Sequence, residues 1–100
     1  MVVVVNRHQF SGKGEYVGRP GALGNPYEIG KDGTRDEVVE KYGPWLRREW
    51  VKGGMVKAAL LKLVGLAKMG DLHLVCSCKP KRCHADILKQ VVETLVSKGY

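Results

Sequence analysis

Leu72-His73-Leu74-Val75-Cys76-Ser77-Cys78-Lys79-Pro80-Lys81-Arg82-Cys83-His84-Ala85-Asp86 is the stretch that sets the architecture. Leu72–Cys76 is a short apolar run of the length and composition of a buried strand. Lys79–Arg82 combines a proline with three cations and is a loop. From Ala85 to Lys98 the apolar residues Ile87, Leu88, Val91, Val92 and Leu95 recur at helical spacing. Lys89, Gln90, Glu93 and Thr94 fill the other side, and Gly99 is placed to stop the helix. The stretch therefore runs from strand through a basic loop into a helix.

Upstream, Met55, Val56, Ala59, Leu60, Leu63, Val64 and Ala67 mark one face of a helix from about Gly54 to Lys68, ended by Gly70. An earlier helix opens at Thr34. Thr34 and Glu37 have the spacing of a capping box, and Asp36 and Glu37 suit the positive end of the helix dipole. Val38, Val39, Tyr42, Trp45 and Leu46 form its apolar face. Pro44 has no N–H for the carbonyl of Glu40, so a kink or restart is expected at Gly43-Pro44. Arg19–Gly33 is rich in glycine and proline and reads as a long loop, which in a small domain is usually functional or disordered. Glu15–Gly18 has the makings of a short edge strand, and His8–Gly14 is a loop. Val2–Val5, four valines without alternation, predicts a strand buried on both faces in the middle of a parallel sheet. His8 reads as a loop histidine and His73 as a surface position on its strand. Trp45 and Trp50 read as core or interface.

Two apolar strands joined through helices should lie parallel with a right-handed crossover. The expected fold is a small α/β domain spanning residues 1–100, a two-layer or three-layer sandwich with a short, mainly parallel sheet flanked by helices. Its carboxyl edge would bring together Asn6, Arg7 and the Cys76–His84 loop, where open α/β sheets bind ligands. The Arg19–Tyr27 loop is long enough to close over that edge.

Composition narrows the setting. The chain has 44% hydrophobic and 27% charged residues, as an ordinary globular protein does. No run approaches the roughly 20 apolar residues of a membrane span. Val2–Val5 is too short for a signal peptide, so the cytoplasm is expected. Three cysteines clustered between positions 76 and 83 are not a secreted disulfide framework. The net charge is +7, from 17 basic and 10 acidic residues, which favours an acidic partner such as a nucleotide, another phosphorylated molecule or nucleic acid.

Four chemistries compete for Cys76–His84. The first is an anion pocket, in which Lys79, Lys81 and Arg82 add charge to the N-terminal end of a helix. Cys83 and His84 would sit at that helix start, where a thiolate is favoured and a histidine can donate, and Asp86 would orient the histidine or cap the helix. The second is structural zinc on Cys76, Cys78, Cys83 and His84, although the usual Cys-x-x-Cys pairs are absent. The third is a phosphatase-like loop, from the Cys-x5-Arg spacing of Cys76 and Arg82. Val75 replaces the preceding histidine, and no general acid is identifiable. The fourth is plain burial, favoured for Cys76 alone.

Two blocks of the chain together resemble a known family. Tyr16-Val17-Gly18-Arg19-Pro20 followed by Leu23-Gly24-Asn25-Pro26-Tyr27 resembles the "GRP…GNP" signature of a small bacterial and phage family, domain of unknown function 4326. Cys76, Cys78, Pro80, Cys83 and His84, then Leu88, match its Cys-x-Cys-x-Pro-x-x-Cys-His signature. Gly33–Tyr42 with Trp45-Leu46 looks like its central helix. The resemblance covers about residues 2–95. Ser77 stands where members often have an aromatic residue, and Ala85 where they often have glycine. Members commonly lack arginine at the position of Arg82, which argues against the phosphatase reading. The resemblance implies a site made by two loops and brings no activity with it.

Reading both blocks as one site, Gly18, Gly21 and Gly24 would allow close backbone approach to a ligand. Arg19 offers a planar fork for phosphate or carboxylate, and Asn25 a donor and an acceptor. The expected function is binding of an anionic small molecule, a nucleotide or phosphorylated compound, between the Arg19–Tyr27 and Cys76–His84 loops. Arg19, Asn25, Cys78, Lys79, Arg82 and Asp86 would bind it, with Cys83 as a low-pKa thiol and His84 as acid–base or anion contact. No cofactor is expected on this reading. The alternatives are a non-enzymatic basic protein acting on nucleic acid or a host protein, and a zinc-stapled domain.

Overall fold

In a computed structural model describing residues 1–100, three parallel strands carry three helices. The strands are β1 (Val2–Asn6), β2 (Glu15–Tyr16) and β3 (Leu72–Cys76), and the helices α1 (Arg35–Lys52), α2 (Met55–Met69) and α3 (His84–Ser97). The sheet order is β1-β3-β2. Val2 pairs with Leu72 and Asn6 with Cys76, while Tyr16 pairs with Val75 on the far side of β3. The fold is the small α/β arrangement the strand–helix order predicts.

The position of the valine run is corrected. β1 is an edge strand, and β3 occupies the centre. Only Val2 is buried, and Val3 to Val5 are partly covered. A β-branched run suits an edge strand with one covered face as well as a central one. The difference is made by β2, two residues long, which takes the second side of β3.

β3 shows which face the helices cover. Leu72, Leu74 and Cys76 are buried, and His73 and Val75 alternate with them half-buried on the other face. The first set joins the core with Tyr42 and Leu46 of α1, Leu60, Leu63 and Val64 of α2, and Leu88 and Val92 of α3. His73 is not a bare surface residue, because the Phe10 ring stacks on it at 4.7 Å. Trp45 and Trp50 pack against the core edge. No helix is long and apolar enough to cross a membrane.

The cap of α1 forms as its spacing predicts. Thr34 Oγ1 accepts from the Glu37 N–H, and Glu37 Oε1 accepts from the Thr34 N–H at 2.9 Å. The expected restart at Pro44 does not occur, and α1 runs unbroken for 18 residues. Proline removes one hydrogen bond at an exposed position, while Tyr42 and Leu46 on either side are buried and hold the helix to the core. The turn into α2 needs Gly53, whose φ of 78° is one that other residues rarely adopt.

Candidate functional site

The strands end where the two long loops meet. A cleft of about 490 Å³ opens there. Gly18, Arg19, Asn25 and Tyr27 line it from the first loop, Ser77, Cys78, Arg82, Cys83 and His84 from the second, and Arg35 from α1. Tyr16 stands at its rim, 46% exposed, with the Arg7 guanidinium 5.4 Å from its ring centre.

Three buried side chains hold the first loop in place. His84 Nε2 lies 2.7 Å from the Val17 carbonyl oxygen. That oxygen only accepts, so Nε2 carries the proton. The Tyr42 hydroxyl donates to the Leu23 carbonyl at 2.6 Å, and burial pushes its ionisation far up. Asn25 Nδ2 donates to the Val38 carbonyl at 3.0 Å, and its Oδ1 accepts from the Tyr27 N–H at 3.0 Å. Gly24 fits because a Cβ there would lie 2.9 Å from the backbone of Arg19. The close approach there is to the chain itself.

This geometry corrects several expected roles. Cys83 is the N-cap of α3, 2% exposed, and its Sγ accepts from the Ala85 N–H at 3.3 Å. Burial pushes its thiol far up, despite the helix start, so it is not an easily ionised nucleophile. Burial, then the Arg19 charge, lowers the His84 pKa, and its one N–H is engaged by Val17. Asp86 completes the cap by accepting from the Cys83 N–H at 3.1 Å, and it pairs with Lys79 at 2.9 Å. Lys79 and Asp86 do not line the cleft. Lys79 instead borders a separate hollow beside β1 with Asn6, Phe10 and Pro80.

Arg82 reaches the cleft but turns to α1, where it binds Asp36 and Glu40. Cys76 is 1% exposed and belongs to the core, so the phosphatase-like pairing of Cys76 with Arg82 has no geometric basis. Cys83 lies close to Cys76 and Cys78, and its Sγ is 3.8 Å from His84 Nδ1. No group of three or more His, Cys, Asp or Glu side chains is placed to hold a metal ion.

The structure adds residues that the sequence reading passed over. Arg35 donates to the Arg82 carbonyl at 3.1 Å and meets no carboxylate. Nothing in the linear pattern separates it from the chain's other cations. Arg19 keeps one exposed partner, Glu28, at 3.3 Å. The backbone N–H groups of Ser77 and Cys78 bond no group in the chain. Tyr42 was legible as a core residue but not as the latch for Leu23. A second hollow, about 500 Å³ between α1 and α3, is lined by Trp50, Ile87 and Leu95, and neither signature reaches it.

The chain belongs to the family described as "Domain of unknown function (DUF4326)", whose model matches residues 4–94. It is similar to an "Uncharacterized 12.4 kDa protein in nrdA-td intergenic region" of Enterobacteria phage T4, with 34% identity over 73 residues. That match takes in 72% of this chain and 62% of the phage protein, less than two thirds of its length. No solved structure matches the chain.

Proposed function

We propose that the cleft binds a small anionic molecule, a nucleotide or related phosphorylated compound. The observation that carries this reading is one convergence. Arg35, without a carboxylate partner, lines the same cleft as Ser77 and Cys78, residues at the carboxyl edge of the sheet whose backbone N–H groups bond nothing in the chain. Backbone N–H groups at such an edge and a guanidinium fork both suit a phosphate. Arg19 adds a second, loosely held charge. The Tyr16 and Tyr27 rings supply apolar wall for a base or sugar.

The chemistry supported is recognition. Cys83 and His84 act as positioning residues that fix the two loops relative to each other, since one is the cap of α3 and the other holds Val17. Cys78 is the half-exposed thiol of the cleft.

Titration calorimetry with ATP, AMP and inorganic phosphate tests the proposal, comparing the protein with Arg35→Ala. The unaltered protein should bind at least one of the three. Loss of a charge-assisted hydrogen bond worth about 1.5–3 kcal/mol should weaken that binding by roughly tenfold or more in the variant. Absence of heat for all three at millimolar concentration, or equal affinity of both proteins, would overturn it.

A further inference from the structure

We infer that the ligand of this cleft is a segment of single-stranded nucleic acid, whose following phosphates lie along the second half of α1. The inference rests on the anion-binding reading of the cleft and extends it from one phosphate to several.

The charge of α1 is divided along its length. Asp36, Glu37 and Glu40 stand in its first half, where Asp36 and Glu40 hold Arg82 and Glu37 closes the cap. From Lys41 onward the helix carries Lys41, Arg47, Arg48 and Lys52 against Glu49 alone. Lys41, Arg48 and Lys52 recur at seven and four residues, intervals that keep them on one side of a helix, about 10 and 6 Å apart along its axis. All three are exposed, and none pairs with a carboxylate. Glu49 adjoins the row, next to Arg48 and three residues before Lys52, and Glu37, one turn before Lys41, is engaged in the cap.

The row joins the cleft through Tyr27. Tyr27 lines the cleft, the Lys41 ammonium lies 5.6 Å from its ring centre, and Arg48 Nη2 donates to its hydroxyl at 3.3 Å. A cationic track therefore leaves a cleft that has two tyrosines in its walls. Aromatic faces beside a track of guanidinium and ammonium groups are the features by which proteins hold unpaired strands. A cleft of about 490 Å³ admits a splayed base and not a duplex, which fixes the choice of strand.

The test uses fluorescence anisotropy of a labelled thymidine 12-mer, with calorimetry of thymidine monophosphate alongside. The unaltered protein should bind the 12-mer about tenfold or more tighter than the monophosphate at low salt. Lys52→Gln, at an exposed position away from the cleft, should flatten the salt slope by about 0.7, the share of one phosphate contact on a single strand. The same variant should bind the monophosphate as before. Equal affinity for the two ligands, or an unchanged slope in the variant, would overturn the track while leaving the cleft reading intact. Failure to bind either ligand would overturn both.

Discussion

His84 Nε2 donates to the carbonyl oxygen of Val17 across 2.7 Å and 67 positions of sequence. This one bond ties the start of α3 to the end of β2, and so ties the Cys-x-Cys-x-Pro-x-x-Cys-His segment to the Gly-Arg-Pro segment. The edge of the Tyr42 ring, 4.9 Å away between centres, closes over the same imidazole. The histidine that reads in sequence as a chemical residue is, in the fold, the joint between the two loops.

Replacing His84 by alanine should therefore cost stability. The Val17 carbonyl would lose its partner in a buried setting, a loss of about 1–3 kcal/mol. Urea denaturation measures it, and His84→Gln, which can still donate, should recover part of the loss. No loss in His84→Ala would remove the joint from the account.

The same residue predicts a pH dependence. Burial first, and the Arg19 charge after it, lower the pKa of His84 in the folded protein below its ordinary value near 6.5. The unfolded chain then binds a proton at a pH where the folded chain does not. The stability due to neutral His84 is fully present above pH 6.5 or so and is lost as pH falls toward the lower folded value. Measured between pH 8 and 5, the stability difference between the protein and His84→Gln should shrink on acidification.

The three cysteines should differ sharply toward an alkylating reagent. At neutral pH the native protein should take up iodoacetamide at Cys78, with Cys76 and Cys83 protected until it unfolds. Mass spectrometry of the labelled peptides reads the result. Preferential labelling of Cys83 would restore it as a nucleophile and overturn its assignment as a cap.

Loop anchoring should be separable from the cleft's charge. Tyr42→Phe leaves the Leu23 carbonyl unpaired in a buried place and should cost about 1–2 kcal/mol. Gly24→Ala should cost about 1–3 kcal/mol, because its methyl group meets backbone rather than a flexible side chain. Hydrogen exchange should show faster opening of the Val17–Tyr27 segment in both variants, with α2 unaffected.

Much of this was readable from local chemistry. Thr34 and Glu37 announce the start of α1, and the bounds expected for α2 and α3 hold within a position. Only Val56, Leu60, Leu63 and Val64 of the expected α2 row and Leu88 and Val92 of the α3 row are buried, however, and Met55 is exposed. The pattern erred where a distant partner decides the outcome. Pro44 does not break α1, because the buried residues around it stabilise the helix by more than the lost hydrogen bond costs. Val2–Val5 is at an edge because Glu15-Tyr16, legible as a short strand but not in its pairing, holds the other side of β3.

The sequence alone determined the strand-to-helix order, the parallel sheet and the two loops with their unusual composition, since periodicity, caps and turns are properties of neighbours in the chain. Only the tertiary structure decided what each polar side chain does. Arg82 is neutralised by Asp36 and Glu40, Cys83 caps α3, Asn25 and His84 hold the first loop, and Arg35 faces the cleft without a carboxylate partner. The reason is physical. A side chain's charge state and free hydrogen-bonding capacity depend on burial and on partners brought from elsewhere in the chain, and the fold alone supplies both.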